Sequence, residues 1–245
     1  MRGVGCPHFP FFRGGVVWPT SQSARESTLM INKDYILRIA EKFGRFLAII
    51  LRLRQANQHE EALIFIDDLF FQSLGLTSSF ISSLSEEALL RMISPLGALN
   101  IEKCLWIAAL LKVEADIYAD QGNDNESYHR YLKSLYLFLE VPPDENPISD
   151  LDIPAQIDEI LGKLEEYELP LKMKSKLFSY YDNTGSYAKA EDILFEIIEA
   201  DSSDHKIVEQ GIAFYTRLKG KSDAELLSGN LSREEVEEGL AQLKQ

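Results

Sequence analysis

Four histidines, two cysteines and a run of carboxylates are the side chains of this sequence whose types could do chemistry. His8, His59, His129 and His205 are far apart. None stands in the i, i+4 pair that puts two imidazoles on one helix face for a metal. Each reads as a surface or turn histidine. Cys6 and Cys104 have no Cys-x-x-Cys neighbour, which argues against a zinc site or a disulfide framework. Cys104 falls in an apolar helical pattern, where a thiol serves as a small buried hydrophobe, and this usage suits a reducing compartment. Asp144, Glu145, Asp150 and Asp152 offer oxygen ligands. Their spacing is not that of a calcium-binding helix-loop-helix, whose central glycine is also missing. The nucleophile elbow, the phosphate-binding loop and the dinucleotide fingerprint do not occur in the sequence. The expectation is a protein with no catalytic, metal or cofactor site, and not an enzyme.

Binding chemistry is easier to place. Arg38, Lys42, Arg45 and Arg52 recur at spacings of four, three and seven, which lines them along one helix face. A basic amphipathic helix binds anionic lipid or an acidic partner, although a solvated face of an ordinary helix has the same pattern. From Glu140 to Glu168 the charge reverses, with ten acidic residues against Lys163 alone. Head-to-tail pairing of the two surfaces would give self-association that salt weakens. A third group gathers in one segment: Tyr118, Tyr128, Tyr131, Tyr136 and Phe138. Most of these fill a core, and any on an open face would anchor a peptide. Asn123, Asn125, Arg130 and Lys133 stand close enough to supply hydrogen bonds. The candidate partner-binding residues are therefore Arg38, Lys42, Arg45, Arg52, Asn123, Tyr128, Arg130 and Lys133.

The elements that must position these groups are helices. The chain has 245 residues, 45% of them hydrophobic and 26% charged, which is enough for a sizeable core. Its net charge of -14 disfavours binding to nucleic acid. No apolar run reaches the length of a membrane span, and the expected location is cytoplasmic. Ile36, Ile39, Phe43, Phe46, Ile50 and Leu53 recur at helical spacing. Further helices are predicted over 59–74, from Ser85 to Ile93, over 101–121, 125–140, 154–168, 171–183 and 187–200, then to about Leu218, with a last helix opened by Ser232-Arg-Glu-Glu235. Val141 to Pro147 holds three prolines and reads as a break. The predicted organisation is a helical region over 30–142, a Pro/acidic linker over 143–153, and a second set of helix pairs with a C-terminal helix over 154–245. Residues 1–29 lack any periodicity, and the strong pattern opens at Met30. The expectation is that Met30 is the start and 1–29 is upstream-translated sequence. The alternative is a disordered tail whose Phe9, Phe11, Phe12 and Trp18 dock on a partner.

A repeat is visible within the helices. Residues 108–142 resemble a tetratricopeptide repeat, a helix pair with a period of about 34 residues. Leu111 takes a bulky position, Ala115 and Ser127 the small ones, Tyr118 and Tyr131 the aromatic ones, and Gly122 the turn. Two antiparallel helices approach closely only where one side is small, and a bulky neighbour fills the adjacent hole. Asn57, Ala62 and Ile66 form a weaker copy, and Gly185, Ala190 and Leu194 another. The three turns lie 65 and 63 residues apart, close to twice the repeat. The fold expected is all-α, with antiparallel helix pairs stacked as a tetratricopeptide-like α-solenoid.

Three stretches carry a second resemblance: MINKDYILRIAEKFG at 30–44, Glu60-Glu61-Ala62-Leu63, and GNDNESYHRYLKSLYLFLE at 122–140. They are similar to an uncharacterised bacterial family of tetratricopeptide-like architecture. That resemblance implies the fold and the start at Met30, and it supplies no catalytic residue. The function expected is a non-enzymatic interaction or scaffold module that binds a protein segment or another subunit. The alternatives are a peripheral membrane protein using the basic helix, and a helical enzyme whose site is assembled only in space.

Overall fold

The computed structural model describes residues 41–94, 97–143, 145–148, 151–200 and 205–244. Arg38, Ile36, Ile39, Met30 and the segment 1–29 lie outside them, as do the readings that rest on them. Among the described residues no strand occurs, and the chain is all-α.

The first helix, α1, covers 41–55 in its described part. Asn57 turns the chain into α2 (His59–Leu74). Two short helices follow, α3 (Ser78–Ser83) and α4 (Glu86–Ile93), with Thr77 and Ser85 as their caps. Asn100 opens α5 (Ile101–Asp120), its side chain accepting from the Lys103 amide at 2.9 Å. Gly122 then leads to α6 (Asp124–Leu139). Beyond the prolines lie α7 (Ile153–Lys163), α8 (Leu171–Thr184) and α9 (Tyr187–Ala200). The chain closes with α10 (His205–Leu218), α11 (Asp223–Ser228) and α12 (Arg233–Gln242).

Two differences from the expected helices have physical causes. The sequence predicts α7 to Glu168, but the helix stops at Lys163. Glu165, Glu166 and Glu168 would put three carboxylates at the negative end of the helix dipole. The sequence reading also passes over α3 and α11, although Thr77 caps the one and Ser222 with Glu225 forms a capping box on the other. Each is six residues long, too short to show a period.

The three turns read from the sequence share one geometry. Asn57, Gly122 and Gly185 have φ of 55°, 70° and 78°. In each case the next amide reaches back five residues: Gln58 to Leu53 at 2.9 Å, Asn123 to Tyr118 at 2.9 Å, Ser186 to Tyr181 at 2.8 Å. This 6→1 bond closes the helix end and fixes the exit angle. The packing keeps the same register. Five residues after each turn, Ala62, Ser127 and Ala190 are buried. Nine residues after it, Ile66, Tyr131 and Leu194 are buried beside them. Among the described helices the most extensive contact is α5 with α6, and the next is α8 with α9.

The break at the prolines is a packed connection. Val141, Ile148 and Leu151 are buried. Asn146 ties the loop to itself, its amide donating to the Leu151 carbonyl at 2.7 Å and its oxygen accepting from the Ile148 amide at 2.9 Å. Both α7 and α8 pack back on α6.

Candidate functional site

Helix α6 presents three charged side chains at the spacing of one face: Glu126, Arg130 and Lys133. Arg130 and Lys133 are only 3% and 5% exposed. Burial of a charge is tolerated when partners replace water, and both have them. Arg130 Nε stands 3.0 Å from Glu114 Oε2 on α5, in Coulombic contact without hydrogen-bond alignment. Its Nη1 donates to the Glu126 carboxylate and to the Glu126 carbonyl at 3.2 Å. Its guanidinium lies 4.2 Å over the Tyr118 ring, a cation–π contact. Glu114 is 2% exposed and also accepts from the Ser78 hydroxyl. Burial lifts its carboxyl above the ordinary carboxylate range, against the opposing pull of Arg130 and Ser78.

The same cluster holds α3 in place. The Ser78 amide at its first turn donates to Asp67 Oδ1 at 2.6 Å. At its other end Lys133 Nζ donates to the carbonyls of Ile81 at 3.3 Å, Ser82 at 2.7 Å and Leu84. A carboxylate at the N-terminus and an ammonium at the C-terminus are the two charges a helix dipole favours. Burial pushes the Lys133 ammonium below its ordinary range, with Glu86 opposing.

A second network joins α1 to the central pair. Arg54 divides its guanidinium between Asp116 at 3.0 Å and Asp120, bonded at 2.5 and 3.0 Å. The Tyr131 hydroxyl donates to the other Asp116 oxygen at 2.5 Å. Tyr131 is thus both a packing knob and a donor to a buried carboxylate. Lys112 extends the line to Glu159 of α7 at 2.8 Å.

Between α2, α3, α5 and α6 these residues leave an open cleft of about 600 Å³. Asp67, Asp68, Glu114 and Glu126 line it against Arg130 alone, so its charge is negative. Ser79, Ser82 and Ser83 border it, and Ile64 stands 64% exposed at its edge. The cleft therefore offers carboxylates and hydroxyls, with Leu63, Ile64 and Tyr118 as its apolar lining. Among the described residues no group of three His, Cys, Asp or Glu side chains is placed to hold a metal ion.

The residues expected to bind a partner are divided by the structure. Lys42, Arg45 and Arg52 are exposed on α1, Lys42 lying 5.6 Å over the Phe46 ring and Arg45 donating to the Glu41 carbonyl. Asn123 caps α6 through the Glu126 amide. Tyr128 is half-buried against Tyr167, with ring centres 4.8 Å apart. Arg130 and Lys133 face inward, and the bonds just described are internal. Sequence reasoning missed Glu114, Asp116, Asp67, Ser78 and Arg54. One signal was present for the first two: Lys112, Glu114 and Asp116 interrupt an otherwise apolar run at i, i+2, i+4, which no single solvated helix face can hold.

Fold and site together define an all-α protein of helix hairpins, with a buried ion pair inside the central hairpin and an acidic cleft beside it. The chain belongs to a family of unknown function (DUF6483), whose family model matches residues 30–245. The resemblance to an uncharacterised family read from 30–44, 60–63 and 122–140 is consistent with this membership. Neither the curated proteins nor the solved structures contain a match to the chain. Among the described residues no helix is long and apolar enough to cross a membrane.

Proposed function

We propose that this chain is a non-enzymatic interaction module, built as a tetratricopeptide-like stack of helix pairs, that docks a segment of another protein. The observation that carries the proposal is the shared register of the three hairpins, with the same left-handed turn, small position and knob. Repetition of one supersecondary unit produces extended surfaces suited to binding a chain segment. The acidic cleft beside the central hairpin is the docking surface we favour. Its exposed Ile64 and Asp68 would meet one apolar and one cationic residue of the segment.

A photo-crosslinking residue at Ile64, in cells that make the protein, tests this. The expected result is one discrete adduct that disappears with Asp68→Lys and weakens when extracts are irradiated at high salt. Adducts that are the same from Ile64 and from exposed Gln210 of α10, or that ignore Asp68→Lys, would refute the cleft as the docking surface.

One observation favours a second reading. On the basic face of α1, Ile49 is 44% exposed between Arg45 and Arg52, and Leu51 is 41% exposed nearby. Apolar side chains among cations suit a helix lying on an anionic membrane. Co-sedimentation with liposomes that is indifferent to anionic lipid would remove this reading.

A further inference from the structure

Helices α1 and α2 form the first hairpin, and their inward faces are filled. Phe43, Ile50, Ala62, Ile66, Leu69 and Phe70 are buried. Phe46 meets Phe65 edge-on across the hairpin, with ring centres 5.8 Å apart, and α2 packs on α5. The outward faces carry opposite charge. On α1, Arg45, Ile49 and Arg52 follow one another at spacings of four and three, all exposed, with Glu41 and Lys42 beside them. On α2, Glu61, Ile64, Asp68 and Phe71 follow at three, four and three, all exposed. Such spacings put each set on one helix face. The whole of α2 carries Glu60, Glu61, Asp67 and Asp68 and no lysine or arginine. Ile49, Ile64 and Phe71 are 44%, 64% and 60% exposed. Among the described residues, Arg45, Arg52, Glu61 and Asp68 make no ion pair.

The two stripes mirror each other about the turn. The hairpin reverses between Ala56 and Asn57, and residues equally far from that point stand at one height on the two antiparallel helices. Arg52 then matches Glu61, Ile49 matches Ile64, Arg45 matches Asp68, and Lys42 matches Phe71. Each level offers a cation with a carboxylate, two aliphatic chains, or an ammonium with an aromatic ring. Two copies laid face to face can satisfy these levels together. A two-fold axis parallel to the helices sets α1 of each copy against α2 of the other and keeps every residue at its own height, so each match is made twice. A two-fold axis across the helices would set α1 on α1, cation against cation. Closed two-fold dimers are the commonest oligomers. With the 16 residues of α2 rising 1.5 Å each, the two helices side by side would bury roughly 1,000 Å² over both copies, at the small end for a specific interface.

We propose that the outer face of the first hairpin binds a second copy of this chain, with α1 of each copy antiparallel to α2 of the other and Arg52 on Glu61, Ile49 on Ile64, Arg45 on Asp68 and Lys42 on Phe71 between copies. Ile64 and Asp68 also line the acidic cleft, so this inference rests on the reading of that surface as a docking face and names its occupant.

Sedimentation equilibrium of the full chain is expected to show a monomer–dimer equilibrium that high salt weakens. Two charge-reversed chains are then compared. Arg45→Glu with Arg52→Glu makes both outer helices acidic, and Glu61→Lys with Asp68→Lys makes both basic. These changes fall on exposed side chains and on both symmetry-related contacts, so each variant alone is expected to dimerise about a hundredfold more weakly. Mixed in equal amounts, the two are expected to form a mixed dimer, because each then meets its opposite at both contacts. A mixture that stays monomeric while both variants keep the parent's helical circular dichroism would overturn the proposal, as would a parent that stays monomeric at about 100 μM. The photo-crosslinking residue at Ile64 is expected to join the peptide that holds Ile49 in a second, isotope-labelled copy. Adducts from Ile64 to a different protein alone would overturn this inference and leave the docking face standing, whereas the absence of any discrete adduct would overturn both.

Discussion

Two glycines sit inside helices under opposite constraints. A Cβ on Gly239 of α12 would lie 2.3 Å from Tyr215 Cζ and 2.4 Å from its hydroxyl oxygen. Tyr215 is fully buried, and its hydroxyl donates to Glu191 at 2.6 Å, so the ring has nowhere to move. Gly44 of α1 faces open space, with nothing within 4 Å of the same position. Gly239→Ala is expected to destabilise the protein by about 1–3 kcal/mol, the cost of overpacking. Gly44→Ala is expected to stabilise it by about 0.5–1 kcal/mol, because alanine loses less backbone freedom in a helix. Urea unfolding of the two variants beside the parent measures both, and a shared sign would contradict the packing described. Neither role was legible in the sequence, where both residues are glycines in helical patterns. The same limit applied to Arg130 and Lys133. Their types suggested partner contacts, whereas the buried carboxylate and the helix end that receive them come from segments 16 to 52 residues away.

Among the elements, caps made the starts of several longer helices legible, whereas α11 was too short to be read despite its Ser222 and Glu225 capping box. Ser85, Asn100 and Ser232 each mark a helix start in the sequence, and each side chain accepts an amide in the structure. Leu231 and Val236, which flank that last cap at the two positions of a hydrophobic staple, are both buried. The only local signal of α3 is Thr77, and its two ends are held by Asp67 and Lys133 of other helices. Reciprocal capping also gives the C-terminal helices a pH response. At the start of α11, bonds from the Ser222 amide and hydroxyl, and then the charge of Lys221, hold Glu225 down at about 2 from its ordinary 4.5. Glu235 of α12 is lowered by Ser232 in the same way. A carboxyl whose pKa falls on folding stabilises above its unfolded pKa and loses that contribution on acidification. Between pH 4.5 and about 2, α11 and α12 are therefore expected to lose protection against hydrogen exchange. Glu225→Gln keeps an acceptor for Ser222 but cannot titrate, so over that pH range α11 should change less than in the parent. An identical pH profile in the variant would assign the loss to other carboxylates.

For the whole molecule, the sequence conveyed the helix pairs better than their assembly. Hairpin turns and the small-and-bulky register are local patterns, whereas the packing of α7 and α8 on α6 is decided by residues far apart in the chain. The prolines that suggest a boundary at 141–147 end α6, and the helices beyond them pack back on it. Val141, Ile148 and Leu151 bury the connection from within. Across it, Lys112 pairs with Glu159, and Lys176 with Glu140. Tyr136 of α6 is buried with the ammonium groups of Lys172 and Lys176 at 4.6 and 4.5 Å from its ring centre. Individual exposed pairs add little, but buried apolar contact and shared partners couple the halves. The chain should accordingly unfold in one transition despite its proline-rich middle. In urea, Trp106 emission in a Trp18→Phe background, which removes the other tryptophan, reports the first helices, and pulsed hydrogen exchange of α8 and α9 reports the later ones. The two midpoints are expected to coincide. Tyr136→Ala removes a large buried ring at a cost of about 3–5 kcal/mol, and it should lower both midpoints together. Separate midpoints in the parent, or a Tyr136→Ala shift confined to one probe, would show that the helices after the prolines fold independently of those before them.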